Sequence, residues 1–525
     1  MFKTFFLKPA ALSNLALGLL LTLLLGSSSL ALLALTGWQM EPEVELWQDP
    51  WFWQVLKFTL WQAVLSSLLS VALALPLARA LVMDTSLPAK TVFLHWCLLC
   101  FVMPSLILIT GLVTMFGYTG WLTPFLNLIS GDNWSLYGLT GILLAHVFLN
   151  LPLAIRVLTA QWSSIPSSVW KMAAQLHLKG WQRFLLVEWP ALRSVLPALS
   201  GFIFLLCFNS FAVVLALGGG PAATTLEVAV FQSLKYNFNP SEALFLAMTQ
   251  FLVAGSFFWL FSRWGKLEWL APASGGQTWR PKPGAISLWI GRISYVLIAL
   301  YLTLPVLSLL PTASSQGLAG LPWSKLLKAS GWSLVFALTA SLLAVLMSLH
   351  LTWVASNQQQ ASWLTRLIPV AALHHLIIPG MVLSVGLYIF FMPLINWMNW
   401  GWLAIIWLNA LIALPFAFSQ LKPRVFAYQA SYQRLAASLS LPSGVYWWRV
   451  VLPYLKPALQ RVAAISLVLT LGDFAVFGIF GQPEYTTLPW LIYELAGSYQ
   501  LAAAALASVW LLGLAFISLM LLEKK

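Results

Sequence analysis

The stretch Trp170-Lys171-Met172-Ala173-Ala174-Gln175-Leu176-His177-Leu178, running on to Val187-Glu188-Trp189-Pro190, returns 263 residues later. There it reads Gln433-Arg434-Leu435-Ala436-Ala437-Ser438-Leu439-Ser440-Leu441, then Val450-Val451-Leu452-Pro453. The same offset joins Pro152 to Pro415 and Phe211-Ala212-Val213 to Phe474-Ala475-Val476. One deletion later, Thr224-Thr225-Leu226 matches Thr486-Thr487-Leu488 at 262. Nearer the start, Pro104 and Gly111 match Pro379 and Gly386 at 275. Apolar sequence produces chance matches easily, but a register held from residue 152 to 476 is hard to reach that way. The chain reads as two homologous halves, and a repeat sets the architecture before any single motif does.

Of 525 residues, 60% are hydrophobic and only 8% charged, and the mean hydropathy is +0.86. Soluble chains carry roughly 25% charged residues, so a water-soluble enzyme and a disordered chain are both excluded. The expected class is an all-α polytopic membrane protein, and 29 Trp and 13 Tyr suit many membrane–water interfaces. A helix needs roughly 20 apolar residues to cross about 30 Å of hydrocarbon. On that ruler twelve spans are predicted, at 11–36, 55–82, 91–117, 136–160, 195–217, 241–264, 286–311, 329–355, 365–392, 401–421, 458–481 and 499–522. The first follows Lys3 and Lys8 but is too long for a signal-peptide core, so it reads as an uncleaved span. Six spans per half is an even number. The halves therefore run parallel, related by an axis along the membrane normal with the path between them.

The net charge of +13 has a layout. With both termini on one side, that side receives 23 of the 27 basic residues and leaves Lys57, Lys235, Lys325 and Lys328 opposite. The acids divide the other way. Asp84, Glu188, Glu268 and Glu523 fall on the basic side and ten lie elsewhere, so the sides carry +19 and −6. The positive-inside rule counts Lys and Arg and places both termini in the cytoplasm. The basic excess is thus an orientation signal that needs no nucleic-acid partner. The connector 263–292, with Pro272, Gly275, Gly276, Pro281 and Pro283, reads as a cytoplasmic linker. The predicted division is 1–54 (first span and outer loop), 55–264 (first transmembrane domain), 265–328 (linker and span seven) and 329–522 (second transmembrane domain).

In each repeated loop a short helix with a small Ala-Ala patch precedes a turn, a second amphipathic piece and a Pro that enters the next span. Small side chains let a helix sit close against a partner, and a basic rim can meet acidic groups on it. A helix gripped in this way passes its partner's motion to the neighbouring spans.

Both loops resemble the signature segment of importer-type ABC permeases, in which Glu-Ala-Ala, three residues, Gly, nine residues and Ile-x-Leu-Pro form the coupling helix. By position, Lys171 and Arg434 take the Glu place, Ala173 and Ala436 the second Ala, and His177 and Ser440 the Gly place. Ala174 and Ala437 follow, and Pro190 and Pro453 match the final Pro. Both copies depart at the acid and at the glycine, so nothing in either sequence requires a left-handed residue at the turn. Over nearly the whole chain the sequence is similar to the fused permeases of bacterial thiamine ABC importers. The stretches that carry this are Leu46-Trp47-Gln48-Asp49-Pro50, Tyr137 to Pro152, Leu217-Gly218-Gly219-Gly220-Pro221 with Thr224-Thr225, and Gly472-Asp473-Phe474 with Thr487-Leu488-Pro489. The resemblance implies two tandem six-helix type I repeats in the bacterial inner membrane. It also implies a periplasmic thiamine-binding protein and two copies of a cytoplasmic ATPase that holds the ATP and magnesium.

The chain has no G-x-x-x-x-G-K-[ST] loop, since Gly265-Lys266 runs into Leu267, so it lacks a phosphate cradle of its own. No catalytic constellation and no metal site is expected. His374 and His375 are adjacent rather than one helical turn apart, and Cys97, Cys100 and Cys207 read as buried small hydrophobes. Polar residues at membrane depth usually face protein or water. The pathway candidates are His146, Asn209, Ser210, Asn409 and Asp473, with Asn150 and Glu494 as further polar positions. A cationic thiazolium would suit an acid with aromatic walls, whereas interhelical hydrogen bonds would also account for each residue. Gly218-Gly219-Gly220-Pro221 reads as a periplasmic turn that helps dock the binding protein. The leading expectation is an importer permease. Sister importers of ferric iron, sulfate or polyamines share its architecture. An ion-driven secondary transporter gives no role to two matched loops, and an integral-membrane enzyme has no constellation to support it.

Overall fold

The computed structural model describes residues 9–36, 41–131, 134–264, 279–281, 283–315, 322–356, 363–376, 378–438 and 443–522. Helix α1 (Pro9–Leu35) leads to Asp49, whose side chain accepts the Trp51 amide at 2.8 Å. With Pro50 at the first helical position, this cap starts α2 (Pro50–Met83). Next come α3 (Lys90–Val102), α4 (Ser105–Phe116), α5 (Leu139–Ser163), the short α6 (Ser167–Gln175), α7 (Leu196–Phe208), α8 (Ala212–Leu217), α9 (Leu226–Lys235) and α10 (Pro240–Trp264). The second half repeats the series. It runs α11 (Ala285–Leu307), α12 (Trp323–Ser356), α13 (Trp363–Leu373), α14 (Gly380–Phe391), α15 (Trp397–Ser438), α16 (Leu452–Leu471), α17 (Ala475–Phe480), α18 (Leu488–Gly497) and α19 (Leu501–Leu522). No strand occurs among the described residues.

The repeat is geometric as well as sequential. Helices α8 and α17 start 263 residues apart, and α9 and α18 start 262 apart. Both offsets equal those of the sequence matches.

Among the described residues, eight helices are long and apolar enough to cross a membrane, or eleven candidates if each of three bent pairs counts as one. Two of the twelve expected spans, 91–117 and 365–392, are not straight. The α3–α4 pair bends by 101° and the segment Trp363–Leu376 meets Gly380–Phe391 at 98°. The reason is the matched proline pair. Pro104 and Pro379 stand at the caps of α4 and α14, where a missing N–H and a restricted preceding residue end the incoming helix. The third bend, 58°, separates Gly180–Leu192 from α7. Residues expected as one span at 458–481 form α16, a break at Gly472–Phe474 and the short α17.

Each half lends its first helix to the other. Gly111 on α4 lies so close to α11 that a Cβ there would stand 2.2 Å from the Pro305 carbonyl oxygen. Its repeat mate Gly386 on α14 faces α1 in the same way, with a Cβ falling 2.5 Å from the Ala31 oxygen. Only glycine permits backbones to cross at that distance. The outward surfaces of α1, α2, α12 and α19 expose Leu19, Leu68, Leu342 and Ile517, as a lipid-facing shell requires.

Candidate functional site

Pro166 interrupts the chain after α5, and α6 begins immediately behind it. Trp170 and Ala173 are buried against the protein, while Lys171, Met172 and Leu176 face outward. The turn after α6 is closed by two backbone bonds. His177 N–H donates to the Ala174 carbonyl and Leu178 N–H to the Ala173 carbonyl, each at 3.0 Å. This is a Schellman closure, which calls for a left-handed residue, and His177 supplies it at φ +51°. The glycine place of the motif is therefore left-handed in this chain although a histidine occupies it. The Ala-Ala pair provides the two accepting carbonyls.

The second copy differs in form. With Gln429 standing where the first copy has Pro166, nothing stops the helix, and α15 runs unbroken for 42 residues from Trp397 to Ser438. The expected separate short helix is absorbed into it. Arg434, Ala436 and Ala437 lie in its last turns, and Ser440 lies outside the described residues.

Each copy then carries a five-residue π-helical turn, Phe184–Glu188 and Trp447–Val451, in the 263-residue register. Such turns are rare and concentrate at functional places. Pro190 and Pro453 follow at the starts of Trp189–Leu192 and α16. Inside the first π turn, the fully buried Glu188 carboxylate accepts Arg79 Nε at 2.6 Å and Nη2 at 2.8 Å. Trp162 Nε1 donates to it at 3.1 Å, and Arg183 Nε lies 3.7 Å away. Arg79 also donates to Ser287 Oγ at 2.5 Å, reaching the start of α11. In α2 and α12 the register is 274, since Thr59 accepts the Leu226 amide as Ser333 accepts that of Leu488. At the repeat-related places therefore stand Trp353, Val425, Tyr446 and Val451. There Val425, Tyr428, Val451 and Leu455 form a buried apolar cluster flanked by Trp353 and Trp447. Glu188 and Arg79 were not among the candidate site residues. Their signal was a lone acid inside a basic loop.

Between the halves lies an aromatic cluster. Phe211 stacks on Phe474 with ring centroids 5.4 Å apart and planes 28° from parallel. Phe211 also meets Phe231 edge-on at 4.9 Å, and Phe474 meets Tyr493 edge-on at 5.1 Å. These are repeat mates doing the same thing twice. Asn409 and Asp473 come together here, with Nδ2 donating to Oδ2 at 3.1 Å. The Asp473 carboxylate also accepts the amides of Val476 and Phe477 at 3.2 Å, so it caps α17. The first half does not repeat this pairing. His146, the 263-residue mate of Asn409, lies 3.1 Å from Ser66 Oγ, and Asn209 accepts Gln250 Nε2 at 3.4 Å. Gln250 donates in addition to the buried carboxylate of Glu227. Ser210 is half-buried beside Phe211. Asn150 reaches the His146 carbonyl, and Glu494 holds Trp490 Nε1 at 2.8 Å.

Gly219 and Gly220, at φ +70° and +131°, form the predicted turn after α8. On the side of the cluster where α9 ends, a cavity of about 440 Å³ is lined by residues of both halves, among them Lys235, Tyr388, Asn396, Trp397 and Gln482.

No protein-family model matches the chain. Full-length relatives do. The thiamine transport system permease protein ThiP of Escherichia coli K12 is 35% identical over 513 residues, covering 96% of this chain and 95% of the relative. ThiP of Salmonella typhimurium LT2 is 35% identical over 486 residues, with 91% and 90% covered. ThiP of Brucella abortus 2308 is 32% identical over 527 aligned residues, with 99% and 95% covered. With two halves of matching helical register meeting at a shared aromatic cluster, the chain belongs to the family of thiamine transport system permease proteins.

Proposed function

We propose that this chain is the membrane-spanning permease of an ATP-driven importer for thiamine and its phosphate esters. The observation that carries the reading is identity to thiamine permeases along the whole length of both proteins. It is a transport subunit and not an enzyme. Two copies of a cytoplasmic ATPase, holding ATP and magnesium, would grip α6 with its turn and the end of α15 with the segment behind it. The chain would sit in the bacterial inner membrane with both termini cytoplasmic, a placement supported by the +19 and −6 charge division. Exposed Met172, Leu176, Trp181, Leu185 and Leu186 support the first contact, because apolar side chains around a basic residue at a chain surface suit a protein partner. A periplasmic binding protein would deliver solute to the face holding the Lys235 cavity.

Solute would then pass between the halves, where the stacked Phe211 and Phe474 close the way. Aromatic faces attract a cationic ring by about 0.5–2 kcal/mol, and Asp473 adds a negative charge beside them. Closing of the ATPase pair would draw the two coupling segments together and part the rings.

Uptake of labelled thiamine by a strain lacking its own importer, complemented with this chain and its partners, tests the reading. ATP-dependent accumulation that ends when the ATPase is removed is expected. Accumulation that persists without any ATPase but collapses with the proton gradient would overturn it.

A further inference from the structure

The two coupling segments are built from the same register but held by different physics. Glu188 has no solvent exposure, and both of its oxygens are engaged by Arg79, at 2.6 and 2.8 Å. Arg79 belongs to α2, Trp162 to the end of α5, and Ser287 to α11. The Glu188 carboxylate and the Arg79 guanidinium it holds therefore join the first coupling segment to three membrane helices through directional, charge-assisted bonds, and such bonds tolerate little sliding. Arg183, itself nearly buried, closes the cluster from within the segment at 3.7 Å.

Among its described residues the second segment has no equivalent. Its four corresponding residues are Trp353, Val425, Tyr446 and Val451. Its described residues are held mainly by apolar packing and rings: Trp353 against Trp447 at 4.5 Å, Tyr428 against Tyr454 at 5.2 Å, Arg424 over the Tyr454 ring at 5.0 Å, and the hydroxyl pair Tyr428 to Tyr446 at 3.0 Å. Apolar contact is non-directional and permits small shear between helices.

We infer that Arg79, Glu188 and Trp162 are positioning residues that make the first coupling segment a rigid lever on the spans, while the second is a compliant bearing, so the two ATPase contacts do unequal mechanical work. The inference rests on the reading of residues 167–190 and 434–453 as the ATPase-facing segments. Co-purification of the ATPase with the native chain checks that reading separately: if no ATPase is retained, the reading fails and the inference falls with it.

Two measurements on the intact importer test the inference itself. Hydrogen exchange on the native complex should show amides of 180–190 exchanging at least about 10-fold more slowly than those of 443–453, because opening the first segment must break the buried cluster. Equal or reversed protection would overturn the asymmetry. The triple variant Arg79→Met, Arg183→Tyr, Glu188→Val removes the charges of the cluster, the last two changes installing the second segment's own residues, and replacing a buried charge cluster by uncharged groups commonly keeps a protein folded. It should retain the ATPase and its basal hydrolysis while solute moved per ATP falls about 10-fold. The matched change Tyr446→Phe in the second segment should leave that ratio within about twofold. A triple variant that assembles and transports with the native ratio would overturn the lever. Should it not assemble, the exchange measurement on the native complex decides alone.

Discussion

The rings of Phe211 and Phe474 lie in contact although 263 residues separate them, with centroids 5.4 Å apart and planes 28° from parallel. They are repeat mates, so the pseudo-symmetry axis that relates the halves runs between them. A residue pair on such an axis meets its own counterpart, so a motion that parts the halves separates these rings. Each ring is braced by another aromatic of its own half, Phe231 or Tyr493.

The double variant Phe211→Ala, Phe474→Ala is expected to open a leak. Solute should equilibrate across proteoliposomes without ATP, at a rate several-fold above the native protein, while each single variant leaks less because one ring remains. Flux of labelled solute in ATP-free vesicles measures this, and tight double-variant vesicles would remove the rings from the barrier.

Asp473 caps α17, and the proposed pathway gives its charge a second, separable role toward a cationic solute. Asp473→Ala removes the cap of α17 and leaves the Asn409 amide without its acceptor, costing about 1–2 kcal/mol, visible as a lower Tm. Asp473→Asn keeps an acceptor oxygen but loses the charge. Its Tm should stay closer to native while KM for a cationic solute rises about fivefold, equivalent to about 1 kcal/mol.

His177 occupies a backbone conformation that costs an L-residue about 1–2 kcal/mol. His177→Gly should therefore be neutral or stabilising by up to about 1 kcal/mol and should retain the ATPase. His177→Val should strain the turn and weaken ATPase retention in a pull-down, because a β-branched residue resists positive φ.

Gly386→Val should lower Tm markedly, since the added Cβ would sit 2.5 Å from a backbone oxygen of α1 that cannot swing away. Overpacking of this kind costs about 1–3 kcal/mol. Gly18→Val, at a glycine with nothing within 4 Å, should leave Tm nearly unchanged in the same melt.

Much of this architecture was legible in the chain. Hydropathy delimited the helices, because crossing hydrocarbon demands a minimum apolar length whatever the neighbours do. The offsets of 263, 262 and 275 marked the two halves, and the matched residues turned out to be working parts. Pro104 and Pro379 make the bends, Gly111 and Gly386 the helix crossings, Phe211 and Phe474 the central contact. The left-handed turn at residue 177 was not legible, because tertiary context can hold a histidine where sequence statistics ask for glycine.

The sequence by itself determined that this is a membrane-embedded chain of two homologous halves, since apolar length, hydropathy and a repeat register are properties that need no partner. Tertiary structure alone decided which polar residues meet. Asn409 joined Asp473, whereas His146 went to Ser66, and Glu188 drew Arg79 from 109 residues away. A buried polar group takes whichever complementary atom packing brings within about 3 Å, and that distance is a property of the folded chain.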